Sequence, residues 1–282
     1  MSGTLKLPEP TWFVGCGNMG GAILDGWRTG NLNLAPITVI RPSGKPVDGA
    51  RVVTSLRDAG APPGMAVLAF KPQKLDEIAP ELRQYLSAKT AIVSLLAGVE
   101  VASLRQRFPG VGAVVRATPN LPVAVRRGVT GLYSTDVDPE TRASLNNLFS
   151  ALGYTIWTAD EQKLGALGAV AGAGPAYVAR FIAALAKAGV KRGLTEEIAG
   201  TLAIETVLGT AWMAATTKET MGSIAKRVAS PRGTTEAGLA VLDHNDVLNE
   251  LVALTIDAAA KRGAELAELA KMPSLEEGAR LH

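Results

Sequence analysis

The chain of 282 residues has one cysteine, Cys16, and two histidines, His244 and His282. One thiol excludes an internal disulfide framework and a cysteine-based zinc cluster, and two imidazoles leave little for a histidine metal site. No metal is expected. Aromatics are only 5% of the residues, against 30 glycines and abundant alanine. Such a core packs helix on sheet and helix on helix at close range. An excess of one charge is also missing, since 29 Lys and Arg against 26 Asp and Glu leave +3. No basic block and no basic stripe interleaved with aromatics occurs, so nothing supports a nucleic-acid partner. The stretch from Met1 to Pro10 carries no apolar signal core. The uncharged run Leu164–Ala179 holds glycines and Pro175 and reads as too short to cross a bilayer. A cytoplasmic protein without a membrane partner is expected. With 47% hydrophobic and 20% charged residues, the chain is not a disordered one.

Short apolar runs and amphipathic stretches alternate through the first half. Strands are expected at Thr11–Gly15, Ile37–Ile40, Met65–Phe70, Ala91–Leu95, Ala113–Arg116, Val129–Tyr133 and Tyr154–Thr158. Helices fall between several of them, at Asn18–Arg28, Gln73–Tyr85, Val101–Arg107 and Pro139–Leu152. This alternation argues for an α/β class domain with a parallel, doubly wound sheet. After Asp160 the chain reads as helix only: Glu161–Val170, Pro175–Lys191, Thr195–Thr216, Met221–Val228, Thr234–His244 and Val247–Leu269. Two domains follow, a dinucleotide-binding domain over 1–158 and an all-α domain over 159–282. The polar residues from Pro273 onward are expected to fray. Long Ala- and Gly-rich apolar faces mark the helical half as a candidate dimerisation domain.

The stretch from Thr11 to Ile23 reads strand, then G-x-G-x-x-G, then helix. Gly15 suits the tight turn, Gly17 lets backbone approach a pyrophosphate, and Gly20 lets the helix close on the strand. Backbone N–H groups at the helix start then face the anion. The second strand ends in Arg41, with Ser43 and Lys45 following and no acid before Asp48. A cation and a hydroxyl suit a ribose 2′-phosphate better than a free 2′-hydroxyl. NADPH is therefore the expected cofactor, with NADH second.

Hydride transfer to a ketone usually needs a nearby general acid, often His, Lys or Tyr. No histidine precedes His244. A protonated imine carbon is electrophilic before it binds, so this absence points toward imine reduction. One turn is chemically suggestive: Ser230-Pro231-Arg232-Gly233-Thr234-Thr235 at a helix start offers amide N–H groups and three hydroxyls to a small carboxylate. The same residues also read as a simple capping segment.

Taken together, these pieces resemble pyrroline-5-carboxylate reductase over about residues 10–270. The resemblance is carried by Gly15–Gly20, by Phe70-Lys71-Pro72-Gln73, by Ser94-Leu95-Leu96-Ala97-Gly98 and by Pro119-Asn120. The helical half adds Gly174-Pro175-Ala176-Tyr177 and Ser230–Thr235. The resemblance implies hydride transfer from NAD(P)H to the C=N carbon of 1-pyrroline-5-carboxylate, giving L-proline. It implies that Gly15, Gly17, Asn18, Met19 and Gly20 cradle the pyrophosphate. Lys71, Pro72, Gln73, Ala97 and Gly98 would line the cleft toward the nicotinamide, with Asn120 near nicotinamide and substrate. Ser230, Gly233, Thr234 and Thr235 would hold the carboxylate, with the Thr235 hydroxyl serving the imine nitrogen as the catalytic group. Homodimers through the helical domain, assembling further into decamers, are implied as well, with sites that can include partner helices.

Three positions depart from the family pattern: Thr118, Ala173 and Arg232 stand where Met, Ser and Gly are usual. The first two remove a thioether and a hydroxyl, and the third puts a cation into the carboxylate turn. They leave two alternatives open, a paralogue reducing another cyclic imino acid and a non-catalytic dinucleotide-binding protein.

Overall fold

The structure, a computed structural model, describes residues 6–271. The segment from Pro273, expected to fray, lies outside the described residues, as does the first half of the stretch from Met1 to Pro10. By contact the chain divides into two units. One runs up to Ala173 and takes in the chain again from Ala259; the other is Gly174–Ala258.

The first unit holds β1 (Thr11–Val14), α1 (Asn18–Thr29), β2 (Ile37–Ile40), β3 (Arg51–Val53), β4 (Met65–Leu68), α2 (Leu75–Leu82), β5 (Ala91–Ser94), α3 (Val101–Arg107), β6 (Ala113–Pro119), β7 (Gly128–Tyr133), α4 (Pro139–Ser150), β8 (Gly153–Trp157) and α5 (Gln162–Leu167). The strands form one sheet in the order β3-β2-β1-β4-β5-β6-β7-β8. β1, β2, β4 and β5 are buried along their whole length, and side chains alternate between two cores. Phe13 joins α1 and α4 on one face through Trp27, Leu148 and Phe149. Trp12 and Val14 join α2 and α3 on the other through Leu75, Leu82 and Leu104.

Three features depart from the sequence reading. β3 is an edge strand of three residues, with exposed Arg51, and carries no run long enough to signal a strand. β6 continues three residues past Arg116, through Pro119. β7 then pairs with β6 antiparallel, so the sheet is not wholly parallel. Only eight residues, 120–127, separate the two strands, the 3₁₀ segment Leu121–Val125 among them, too little chain for a crossover.

The ladders explain what this reversal builds. Ser94 of β5 pairs with Arg116, where the β5–β6 ladder stops. The β6–β7 ladder begins at that same Arg116, opposite Tyr133, and runs outward to Pro119. Thus β7 and β8 stand beyond the carboxyl ends of the parallel strands. They form a wall beside the crevice where doubly wound sheets bind ligands.

The domain boundary placed at 158 and 159 differs from the division seen here. α5 stays with the sheet because Leu164 and Leu167 press onto Gly131, where a Cβ would come within 2.9 and 2.8 Å of them. The five residues Gly168–Gly172 after it wind as a π-helix.

The second unit holds α6 (Gly174–Lys191), α7 (Glu196–Thr217), α8 (Met221–Val228), α9 (Thr234–Leu242) and the start of α10 (Val247–Lys271). Thr195 caps α7, its hydroxyl accepting from Ile198 N at 3.3 Å, with Glu196 and Glu197 in the first turn. Gly189 lets α6 close on Ala199 of α7. Large apolar side chains elsewhere face outward, among them Leu208 (57% exposed), Val241 (71%) and Leu254 (68%). The run expected to be too short for a bilayer extends further than Ala179. Gln162–Val190 and Glu196–Thr217 both have the length and apolar composition of a membrane-crossing helix.

Candidate active site

β1 delivers the chain into a turn that only a residue at positive φ can make easily. Gly15 has φ 81°, its N–H bonds Ile40 O at 2.8 Å, and a Cβ there would sit 2.8 Å from Ala69 O. Gly17 is the N-cap of α1 and has no side-chain cap beside it; a Cβ there would meet nothing within 4 Å. The first amides of α1 therefore have no side-chain cap, and space lies open beside Gly17, as an anion site requires. Gly20 lies against Ala69 and the Cys16 side chain.

Beside this turn lies a pocket of about 570 Å³ lined by Cys16, Gly17, Asn18, Arg41, Ser43 and Lys45 among others. Arg41 leans over the glycine turn, donating from Nη1 to Cys16 O at 3.3 Å. Its Nε is buried without a partner. A buried guanidinium N–H left unpaired is costly. Burial pushes the Cys16 thiol up, more than the Arg41 hydrogen bond lowers it, so the thiol stays protonated at neutral pH. Leu121 and Ala124 complete the wall, a contribution from the 3₁₀ segment that sequence reasoning missed.

A second cavity of about 1120 Å³ opens beyond the strand ends, still within the first unit. Met19, Ala97 and Gly98 line it, with Arg116–Pro119 of β6 and Glu161 from the start of α5. Ala260, Gly263, Ala264 and Ala267 of α10 form part of its lining, which no sequence signal announced. Gly98 has φ 77°, and a Cβ there would lie 2.9 Å from the Cα of Ala267. Thus the expected cofactor residues gather around two openings, Gly17, Asn18, Arg41 and Ser43 at one and Met19, Ala97 and Gly98 at the other.

Two expectations meet a different geometry. Lys71, Pro72 and Gln73 form the start of a 3₁₀ turn after β4 and line neither opening. Asn120 is buried, and its amide is engaged at both ends within the protein. Nδ2 donates to Ala171 O at 2.9 Å and Oδ1 accepts from Val129 N at 2.7 Å. It therefore ties the start of β7 to the π-helix, and it lines neither opening.

The residues expected to hold a carboxylate lie in the second unit. Gly233 caps α9 and its N–H bonds Ser230 O at 2.9 Å. Thr234 and Thr235 occupy the first two helical positions, with no side-chain cap on their amides. Arg232 stands at φ 60°, and its N–H donates to Glu236 Oε2 at 2.6 Å. That is a left-handed conformation which glycine adopts without penalty.

A doubly wound sheet with this glycine turn, a basic second-strand end and an appended helical unit belongs among the dinucleotide-dependent oxidoreductases. Residues 161–266 match the family model for pyrroline-5-carboxylate reductase dimerisation. The pyrroline-5-carboxylate reductase of Pseudomonas aeruginosa is 35% identical, over 91% of this chain and 96% of its own length. A pyrroline-5-carboxylate reductase structure from Coxiella burnetii superposes with a TM-score of 0.82 at 30% identity, covering 93% of this chain and 99% of its own. The Plasmodium falciparum pyrroline carboxylate reductase with NADP bound shares the fold, at 24% identity and a TM-score of 0.83, over 93% of this chain and 99% of its own. This chain belongs to the pyrroline-5-carboxylate reductase family.

Proposed function

We propose that the chain reduces 1-pyrroline-5-carboxylate to L-proline with NADPH, in proline biosynthesis in the cytoplasm. The observation that carries this reading is the pocket at Gly17, with Arg41, Ser43 and Lys45 around it, in a chain similar to these reductases along nearly its whole length. When bound, the nicotinamide supplies the hydride for the imine carbon. The open amides after Gly17 hold the pyrophosphate. Arg41, Ser43 and Lys45 take the 2′-phosphate. Ala97 and Gly98 line the nicotinamide end. Ser230, Gly233 and Thr234 hold the substrate carboxylate against the amides of α9, and the Thr235 hydroxyl hydrogen-bonds the imine nitrogen. The working form is a homodimer through the helical unit, assembling further into decamers.

The test is loss of nicotinamide absorbance with purified protein, NADPH and pyrroline-5-carboxylate. Turnover is expected, and Thr235→Ala is expected to lower kcat by about 10²-fold while NADPH binding holds. An unchanged kcat would remove Thr235 from the chemistry. A second reading, reduction of another cyclic imino acid, is favoured by Arg232 at φ 60° in the carboxylate turn. A substrate panel in which another imine outruns pyrroline-5-carboxylate would establish it.

A further inference from the structure

The second cavity is framed by segments from different parts of the chain, and one carboxylate ties three of them together. Glu161 Oε1 accepts from Arg116 Nη1 at 2.7 Å and from Val101 N at 2.8 Å. Arg116 is the single β6 residue shared by the β5–β6 and β6–β7 ladders. Val101 N is the first amide of α3, whose own N-cap, Glu100, makes no side-chain cap bond. So Glu161 caps α3 from 60 residues away, and a helix N-terminus favours a negative charge there. α3 directly follows the Ala97–Gly98 loop, and Arg116 opens the segment leading to Thr118 and Pro119. These are two walls of one cavity. The ion pair is largely withdrawn from solvent, with side-chain exposures of 13% for Arg116 and 23% for Glu161. Screening is weaker there than at an exposed surface pair.

We propose that Glu161 is a positioning residue for hydride transfer, setting the separation of the two walls between which the nicotinamide ring lies. This rests on the reading above. The carboxylate acts through Val101 and Arg116: it fixes the loop at Gly98 against the end of β6. Reactions of this kind are steep in geometry: a misplacement of about 1 Å can cost about 10²-fold in rate. Glu161→Gln keeps the shape and an acceptor for Val101 N, but weakens the charge-assisted bond to Arg116.

The experiment measures kcat, KM and the isotope effect with NADPH deuterated at the transferred C4 position. Binding of adenosine 2′,5′-bisphosphate, which reports only the pocket at Gly17 and Arg41, is measured alongside. For Glu161→Gln, kcat is expected to fall about tenfold or more and the isotope effect to rise, as hydride transfer becomes limiting. Bisphosphate affinity is expected to stay at the wild-type value. Arg116→Lys, which keeps the charge and loses the fork geometry, gives a smaller fall in the same direction and serves if Glu161→Gln does not fold. Wild-type kcat and isotope effect in a folded variant would overturn the proposal alone. A wild-type protein that binds the bisphosphate but never reduces pyrroline-5-carboxylate would overturn the functional reading, and this proposal with it.

Discussion

Arg41 is braced over the glycine turn by its bond to Cys16 O, and its Nε has no partner. Its orientation is therefore set in advance, and little side-chain entropy remains to be lost on binding an anion. Arg41→Ala is expected to weaken NADPH by about tenfold to a hundredfold, the worth of a hydrogen bond to a charged group, with NADH nearly unaffected. Calorimetric titration with both cofactors checks this, and equal losses for the two would refute a 2′-phosphate contact. Arg232 shows the opposite economy. Its φ of 60° strains an L-residue, while its N–H bond to Glu236 uses backbone alone. Arg232→Gly is therefore expected to raise stability by about 1 kcal/mol, read from urea midpoints. A loss of stability would mean that the guanidinium holds the turn in some way its backbone does not reveal.

Among the elements, α4 shows how much a single cap decides. Asp138 accepts from Thr141 N at 2.9 Å. Bonding from Thr141, side chain first and then backbone, holds its carboxyl below the usual carboxylate range. A pKa lowered by folding stabilises the chain at neutral pH, and that part is lost as pH falls through the folded value. Asp138→Asn keeps an acceptor at the cap but has no charge to lose. The wild-type advantage is expected at neutral pH and should close on acidification; a gap that persists in acid would contradict the assignment. Other elements differ in how openly the sequence announces them. Val101–Arg107 and Met221–Val228 have the limits their patterns predict, because an apolar stripe and a flanking break mark both ends. The extension of β6 was hidden because Pro119 and Asn120 read as turn residues, although a proline at the last strand position costs the ladder little. The glycine turn and the Ser230–Thr235 turn were visible because Gly, Pro and Thr punctuate them locally. Glu161 was not visible, since its partners lie 45 and 60 residues away and an acid at the start of a helix has a simpler local explanation.

In the whole molecule, two of the longest helical stretches pass for bilayer-crossing segments by length and composition. The match of residues 161–266 to a dimerisation family gives those apolar faces a different destination, a second copy of the chain. Leu208→Glu places a charge on such a face, at a side chain 57% exposed in the single chain. It is expected to shift the protein from dimer to monomer in sedimentation and to lower activity with it, whereas an intact dimer would place the interface elsewhere. The shared position of Arg116 in two ladders also bears on how chains of this fold can change length over time. Loops at the rim can gain or lose residues with little effect. Between Arg116 and Pro119 a single insertion would turn every following side chain of β6 to the opposite face and carry β7 and β8 out of step. Lineages of this fold are thus expected to vary at the loops, and to keep one fixed count of residues along that short stretch.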